Sequence, residues 1–302
     1  MSAADITAPA ASPPLVSSPA ASTPAVPTGL LGDTPARDYT RKLQLFNKFA
    51  EPELRRAIDT LGLTPGMRVL DAGCGSGEAL TWLAQQVGPS GEVLGIDLAI
   101  AHINAARRFV APRISVLQGD ILSIPLAPAS FDAIWCVNTI NHLRDAIGGV
   151  RRLASLLRPG GHLALGQSSL LADMYFAWDA RLERLTNEAV RQYYRTRYGV
   201  GEGELAPVRS LVGLLRSAPL QDVTSRTFVI ERITPLKPAD EAYLHEAIFL
   251  DTWGERLRPY LAAQDFSALS QLCDSGASHY ALHRPDFHFL QTFTLAVGRV
   301  SS

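Results

Sequence analysis

A cluster of glycines after a predicted strand is the first feature of the sequence that could bind a ligand. Residues 69–78 read Val-Leu-Asp-Ala-Gly-Cys-Gly-Ser-Gly-Glu, so an apolar strand passes directly into Gly73, Gly75 and Gly77. Glycines permit positive φ angles and let a ligand approach the backbone, and the amides at a helix start have no partner within the helix. A tight strand-to-helix turn without a ligand is the alternative.

The spacing of the glycines argues against a dinucleotide cofactor. A dinucleotide-binding loop carries Gly or Ala three residues after its second glycine, whereas Glu78 stands at that position relative to Gly75. The loop therefore reads G-x-G-x-G, and a nicotinamide-dependent dehydrogenase is disfavoured.

Acidic residues follow the next two predicted strands. Asp97 ends the second strand, where a carboxylate can accept hydrogen bonds from both ribose hydroxyls of a nucleoside. A cap on the helix that begins near Ala99 is the alternative. Asp120 follows the third strand, where it can accept from the exocyclic amine of adenine while Ile121 packs against the ring. The three strand ends together predict a nucleoside site.

These strand ends belong to a regular alternation of strands and helices. Strands are predicted at residues 68–71, 93–97, 114–118, 133–137 and 162–166, and helices at about 42–61 (interrupted at Pro52), 78–87, 101–110 and 143–157. Right-handed crossovers between such strands give a doubly wound, mostly parallel sheet of the α/β class. Ligands of these sheets bind beyond the carboxyl ends of the strands.

The combined motifs resemble the class I, Rossmann-like S-adenosylmethionine-dependent methyltransferases. The motifs that carry the resemblance are Asp71 with the glycine loop, Asp97, Gly119-Asp120, Phe-Asp-Ala-Ile-Trp at 131–135 and Leu-Arg-Pro-Gly-Gly at 157–161. They cover about residues 40–170 and look most similar to the small-molecule branch that includes quinone-biosynthesis enzymes. The resemblance implies a seven-stranded sheet and S-adenosyl-L-methionine as the cofactor.

The resemblance also implies a set of cofactor-binding residues. They are Asp71, Gly73, Cys74, Gly75 and Gly77 at the methionine end and ribose, Asp97 and Leu98 at the ribose and adenine, Asp120 and Ile121 at the adenine, and the backbone of Cys136 and Val137 at the amino acid part.

A catalytic base is an optional part of this chemistry. The methyl group of a sulfonium is already activated, so transfer chiefly requires an acceptor atom held in line and water kept out. His142 is the first candidate base because it follows the fourth strand. Similar proteins often read His-His there, where this chain has Asn141-His142. His279 and Tyr280 are further candidates at the acceptor site.

No metal site is predicted. His279, His283, Asp286 and His288 include ligand types that bind zinc. Pro285 interrupts any helix that would bring them onto one face, and methyl transfer needs no metal.

The aromatic residues indicate where the acceptor binds. Of 11 Phe, 8 Tyr and 4 Trp, six lie between residues 175 and 198 and nine between 243 and 293. We therefore expect helical caps at about 171–215 and 236–285, with final strands at about 223–233 and 290–300. The caps would cover the strand ends with an apolar, aromatic-lined cleft. Ordinary helix packing is the alternative for any single aromatic residue.

Residues 1–36 differ from the rest of the chain. They hold seven of the 20 prolines among Ala, Ser and Thr, and Asp5 is the only charged residue before Asp33. This composition predicts a disordered arm, leaving 37–302 as the methyltransferase domain with a cofactor half at 37–170. The arm is either dispensable or folds with its end over a bound ligand.

The overall composition restricts the partners. The 28 basic and 29 acidic residues nearly cancel, which disfavours nucleic acid, and no apolar run is long enough for a membrane span. Three scattered cysteines fit a reducing, cytoplasmic location. A homodimer is left open.

The sequence thus predicts in-line methyl transfer to a small, largely apolar organic acceptor in specialised or quinone-like metabolism. A protein of the same fold that uses the bound cofactor electrostatically or structurally, without methylating, is the alternative.

Overall fold

The computed structural model describes residues 36, 38–169, 174–176, 178–201 and 207–302. The arm predicted to be disordered at 1–36 lies outside the described residues, apart from Ala36, so its disorder stays a prediction.

A mixed sheet forms the centre of the protein. Its strands are β1 (Arg68–Ala72), β2 (Glu92–Asp97), β3 (Ile114–Gln118), β4 (Phe131–Val137), β5 (Leu157–Ser168), β6 (Tyr175–Phe176), β7 (Leu220–Ile233) and β8 (His288–Val300). They lie in the order β3-β2-β1-β4-β5-β8, with β7 on the outer side of β8. Only β8 among the described strands runs in the opposite direction, because it pairs antiparallel with β5, β6 and β7.

The predicted α/β class is confirmed, but the sheet of the described residues is mixed and has eight strands where seven were predicted. β6 is an eighth, two-residue strand in a segment predicted to be helical. It forms because its backbone pairs with Phe289 and Leu290 at the start of β8, beyond the end of β5.

The helices fill the connections between the strands. They are α1 (Thr40–Phe49), α2 (Glu51–Asp59), α3 (Glu78–Val87), α4 (Ile100–Ala106), α5 (Ala146–Ser155), α6 (Ala180–Tyr198), α7 (Leu211–Arg216), α8 (Pro238–Ala242) and α9 (Ala263–Cys273). A π-helix (Tyr243–Thr252) continues α8, and 3₁₀ turns occupy Arg107–Phe109, Ile140–His142, Pro207–Ser210, Glu255–Tyr260 and Ala281–His283.

Alternation along the strands divides the core between the two faces of the sheet. Val69 and Trp135 pack into one apolar cluster with α2, α3 and the π-helix. Leu70 and Ile134 point to the other face and pack with α5 and α7. Successive side chains of a strand point to opposite faces, so these fully buried strands are apolar on both.

The segments predicted as helical caps divide between two places. α6 and the π-helix contribute side chains above the carboxyl ends of the strands. α7, which the sequence placed in the cap at 171–215, packs instead beneath the sheet, because Leu211 and Leu215 are fully buried in the same cluster as α5.

Candidate active site

A cavity of about 1090 Å³ lies at the carboxyl ends of the parallel strands. The residues that follow β1, β2, β3 and β4 line one half. The end of β5, the start of β8, α6 and the π-helix line the other half, and α1 contributes to both. The volume is above the usual range for pockets that hold a single small ligand, so the cavity has room for two.

The glycine loop forms the floor of the first half. Gly73 has a φ of +83°, and a Cβ atom there would lie 2.1 Å from Oγ1 of Thr139. The amides of Gly73 and Cys74 both donate to the carbonyl of Ile96, at 2.7 and 2.8 Å. The loop is therefore turned tightly across the ends of β1 and β2, and only glycine fits at position 73.

Asp97 holds this loop from the end of β2. Its Oδ2 accepts from the backbone amide of Gly75 at 2.9 Å, and its Oδ1 accepts from that of Ala99 at 2.9 Å. Burial alone would raise the pKa of Asp97, but hydrogen bonds from His102 and from these two amides hold it below its usual range. Asp97 therefore hydrogen bonds to the start of the next helix, as the helix-cap alternative predicted. It also lines the cavity, as a ribose-binding role requires.

His102 is a site residue that sequence reasoning missed. Its Nδ1 lies 3.1 Å from Oδ1 of Asp97, and its Nε2 accepts from the backbone amide of Tyr39 at 3.2 Å. The acceptor role of Nε2 places the proton of the neutral ring on Nδ1, which donates to Asp97. The five-residue spacing between Asp97 and His102 was the available signal.

Asp71 is buried at the end of β1 without a full set of partners. Burial raises the pKa of its carboxyl group to about 8, and repulsion from Asp97 and Glu78 adds to the effect. Its Oδ2 has no hydrogen-bond partner among the described residues. The ligand-free site therefore favours the neutral carboxylic acid, and a positively charged ligand would favour the carboxylate.

Asn138 joins the two halves of the cavity. It has a φ of +52°, which is uncommon for a residue other than glycine. Its Oδ1 accepts from the backbone amide of Ser168 at 2.8 Å, so the end of β4 is tied to the end of β5. The positive φ and this bond fix how the chain leaves β4.

Tyrosines line the second half of the cavity. Tyr193, Tyr194 and Tyr198 lie on one face of α6, and the phenols of Tyr39 and Tyr198 are hydrogen bonded. Tyr243 is buried on the π-helix and stacks on Phe49, with ring centroids 4.4 Å apart. The predicted aromatic-lined cleft is present at this position.

The structure brings most of the predicted site residues together. Those that line the cavity are Asp71, Gly73, Cys74, Gly75, Asp97, Leu98, Asp120, Ile121, Val137 and His142.

Four predicted site residues do not line the cavity. Gly77 packs against α4, where an added Cβ would lie 2.8 Å from the Cβ of Ala106. The side chain of Cys136 is fully buried in the core beneath the sheet, and the role predicted for its backbone stays a prediction. His279 is exposed and outside the cavity. Tyr280 is buried in the cap, where its hydroxyl lies 2.9 Å from Nδ1 of His245.

The histidines near the C-terminus take part in separate surface contacts. His283 lies 3.2 Å from Glu241 and His288 lies 2.8 Å from Glu231, while Asp286 pairs with Arg284. Among the residues that the structure describes, no three His, Cys, Asp or Glu side chains form a group able to hold a metal ion. Nor does any described helix have the length and apolarity needed to cross a membrane.

The first half of the cavity fits S-adenosylmethionine. The tight approach at Gly73 leaves a cradle of bare backbone, and the unpartnered Oδ2 of Asp71 can accept from an ammonium group. Asp97, Asp120 and Ile121 line the same half of the cavity, so their predicted roles at the ribose and the adenine stay predictions.

Comparisons with known proteins agree with this fit. Residues 69–161 match the sequence profile of a family described as "Methyltransferase domain". A 2-phytyl-1,4-naphtoquinone methyltransferase from Thermosynechococcus vestitus is 38% identical over 111 residues, which are 36% of this chain and 49% of that protein. The nocamycin O-methyltransferase of Saccharothrix syringae is 35% identical over 122 residues, or 39% of this chain and 44% of that protein.

The match to these relatives is partial, whereas the likeness in fold extends further. The aligned part spans less than half of each of the two relatives. A crystal structure of a Bacillus halodurans C-125 protein covers 83% of this chain and 100% of its own, with a TM-score of 0.51 and 16% identity, which shows the fold alone. Residues 69–161 of the chain therefore match a methyltransferase domain, and the sheet has a fold shared with that solved structure.

Proposed function

We propose that the protein transfers the methyl group of S-adenosylmethionine to a small, largely apolar organic acceptor. The observation that carries the proposal is the single cavity of about 1090 Å³, which joins the glycine loop and Asp97 to a wall of tyrosines. The names of the two relatives, a naphthoquinone methyltransferase and an antibiotic O-methyltransferase, support an acceptor from quinone-like or specialised metabolism.

The residues of the chain would divide the work between the two halves. When bound, S-adenosylmethionine supplies a methyl group that its sulfonium has already activated. Asp71 would neutralise the ammonium group, and Asp97 would hold the ribose. Asn138 fixes the boundary between the halves, which sets the approach of the acceptor atom to the methyl carbon. The tyrosines of α6 and the π-helix would exclude water from that boundary.

His142 is the candidate base for an acceptor that must lose a proton. It is half-buried at the cavity edge, in the 3₁₀ turn after β4. Three of the cavity-lining phenols are poor bases at neutral pH, because burial raises the pKa of Tyr194 to about 12 and also raises those of Tyr198 and Tyr243. His279 and Tyr280 lie outside the cavity, so among the predicted candidates His142 has the supporting position.

Calorimetry with S-adenosylmethionine and S-adenosylhomocysteine is the first test. We expect both to bind with micromolar or tighter dissociation constants. No binding of either at high micromolar concentration would contradict the proposal.

Transfer itself requires a second measurement. The full chain is incubated with methyl-labelled S-adenosylmethionine and a panel of phenols, quinols and amines, and labelled products are identified by mass spectrometry. Tight cofactor binding without any labelled product would favour the alternative, a protein of this fold that binds the cofactor without methylating.

A further inference from the structure

Two buried glutamines in the second half of the cavity have no role so far in cofactor binding, water exclusion or proton removal. Gln167 lies at the end of β5 and Gln291 near the start of β8, and they are 5% and 3% exposed. Because β8 runs antiparallel to β5, both lie at the same edge of the sheet. Strand β4 separates them from β1 and β2, which carry the glycine loop and Asp97.

Hydrogen bonds to the backbone fix the orientation of both amides. Nε2 of Gln167 donates to the carbonyl of Ser168 at 3.3 Å, and Nε2 of Gln291 donates to that of Ser169 at 3.1 Å. A carbonyl oxygen can only accept, so these contacts identify the NH₂ group of each side chain. The amide oxygens are thereby assigned, and neither has a partner among the described residues.

An unpartnered oxygen in this position calls for a donor from a ligand. Buried polar groups in folded proteins almost always have a hydrogen-bond partner, and leaving an acceptor unsatisfied destabilises the protein. Among the described residues, the other cavity-lining side chains that have a buried atom without a partner are Asp71 and Asn141, and in both that atom is an oxygen. The two glutamine amide oxygens can only accept, so each calls for a hydrogen-bond donor from a bound molecule.

The surroundings of Gln291 are aromatic. Its amide donates to the phenol oxygen of Tyr243, and Trp135 on β4 also lines the cavity. The charged groups of this half are more exposed. Arg197 lies over the ring of Tyr198, and others are paired with one another. Lys42 and Arg256 both bind Asp251, and Arg41 binds Glu246. A charged group placed beside the two buried amides would lose its hydration, and the amides carry no charge to compensate it.

We propose that Gln167 and Gln291 select the methyl acceptor by accepting hydrogen bonds from it. The acceptor is then an uncharged molecule that carries a hydroxyl or N–H group on a flat, apolar body. The proposal rests on the proposed function, since it assigns this half of the cavity to the acceptor. The amide oxygens are not basic enough to remove the proton, so both glutamines are positioning residues.

Matched pairs of small molecules test the proposal without knowledge of the natural acceptor. The probes are 2-naphthol with 2-methoxynaphthalene, and indole with N-methylindole; within each pair the second compound lacks the donor hydrogen. Calorimetry on the full chain saturated with S-adenosylhomocysteine measures their dissociation constants. We expect the donor of at least one pair to bind about tenfold tighter than its methylated partner, because that partner leaves the buried oxygens unsatisfied.

Two variants and a control assign the discrimination to these residues. Gln167→Met and Gln291→Met keep the length of the side chain, and we expect each to reduce the ratio of affinities within a pair to about twofold or less. Gln86→Met is the matched control: Gln86 binds Asp59 outside the cavity, so this variant should keep the wild-type ratio.

Three results would overturn the proposal. The first is equal affinity within both pairs for the wild-type chain, which includes no detectable binding of any probe up to millimolar concentration. The second is full discrimination in both Gln→Met variants. The third is weakened S-adenosylhomocysteine binding in the variants with discrimination intact, which would assign the amides to the cofactor. Binding of S-adenosylhomocysteine to the wild-type chain is measured first, so failure of the proposed function is distinguished from failure of this inference.

Discussion

The backbone amide of Tyr39 donates to Nε2 of His102 at 3.2 Å, and the opposite ring nitrogen of His102 holds Asp97. This pair connects the first described turn of the chain to the predicted ribose-binding carboxylate. Tyr39 and its neighbour Asp38 also line the cavity. Residues 38–39 follow the arm predicted at 1–36, so the expectation that the end of the arm folds over a ligand stays a prediction.

Two truncations distinguish the effect of this contact from the effect of the arm that precedes it. We expect deletion of residues 1–39 to weaken S-adenosylhomocysteine binding several-fold, because the bond to His102 and the ring of Tyr39 are lost. Deletion of residues 1–35 leaves both in place and should leave the dissociation constant unchanged. Calorimetry on the two truncated chains measures the difference. Equal affinities would mean that residues 38–39 do not contribute to the bound state.

Replacement of Asp97 tests the ribose assignment. We expect Asp97→Ala to weaken S-adenosylhomocysteine binding by an order of magnitude or more, because charge-assisted hydrogen bonds to the ribose are lost and the amide of Gly75 is released. Asp132→Ala is the control: Asp132 pairs with Arg158 near the start of β4, at the opposite edge of the sheet. Unchanged affinity in Asp97→Ala would show that the carboxylate does not hold the cofactor.

Local sequence signals predicted the cofactor half well. Strand β3 and helix α3 have the predicted bounds. Each is an apolar run next to glycine, so residues nearby in the sequence determine where it begins and ends. The glycine loop, Asp97 and Asp120 could be placed together because parallel strands end at one edge of a sheet. Gly77 packs against α4 and does not line the cavity, and the sequence could not show this because a positive φ serves both ligand approach and close helix packing.

The acceptor half was predicted only in outline. The cluster of aromatic residues located it, but Gln167 and Gln291 are brought to the same edge of the sheet by the antiparallel pairing of β5 with β8, which pairs Gln167 with Thr294, 127 positions later in the chain. The direction of β8 depends on how the chain crosses the cap, and periodicity carries no information about direction. His279 and Tyr280 were selected for their chemistry, and tertiary packing placed them away from the cavity.

Gly73→Ala tests the cradle. The added Cβ would collide with Thr139, and its φ of +83° is strained for alanine, so we expect about 1–3 kcal/mol of destabilisation and loss of measurable cofactor binding. Gly213→Ala is the matched control: it lies in α7 with nothing within 4 Å of its added Cβ. We expect this helical substitution to be neutral or to stabilise by up to about 1 kcal/mol. Denaturant unfolding measures the change in stability, and calorimetry measures cofactor binding. Similar stability and similar binding in the two variants would contradict a cradle that requires glycine at position 73.

Asp71 makes the stability of the ligand-free protein depend on pH. Its pKa is raised from 3.8 to about 8, so the folded protein holds the Asp71 proton more tightly than the unfolded chain does. The contribution of this proton to the free energy of unfolding is complete below pH 3.8 and is lost as the pH rises through 8. Asp71→Asn removes this dependence. We therefore expect the melting temperature of the variant minus that of the wild type to increase by at least about 2 °C between pH 6 and pH 8.5.

Asp286→Asn provides the reference for that measurement. Its ion pair with Arg284 lowers the pKa of Asp286, so the carboxylate is ionised at both pH values. The difference in melting temperature for this variant should not change between pH 6 and pH 8.5. The same constancy for Asp71→Asn would show that Asp71 is already ionised in the folded protein.

Cofactor affinity should rise with pH through the same carboxyl group. Below pH 8 the ligand-free site holds a neutral Asp71, and binding of an ammonium group requires loss of that proton. We expect the dissociation constant of S-adenosylhomocysteine to fall about tenfold or more from pH 6 to pH 8, with proton release detected in buffers of different ionisation enthalpy. 5′-Methylthioadenosine lacks the amino acid part and should bind without this dependence. Asp71→Asn should abolish it for S-adenosylhomocysteine as well, and a pH dependence shared by both ligands would place the titrating group elsewhere.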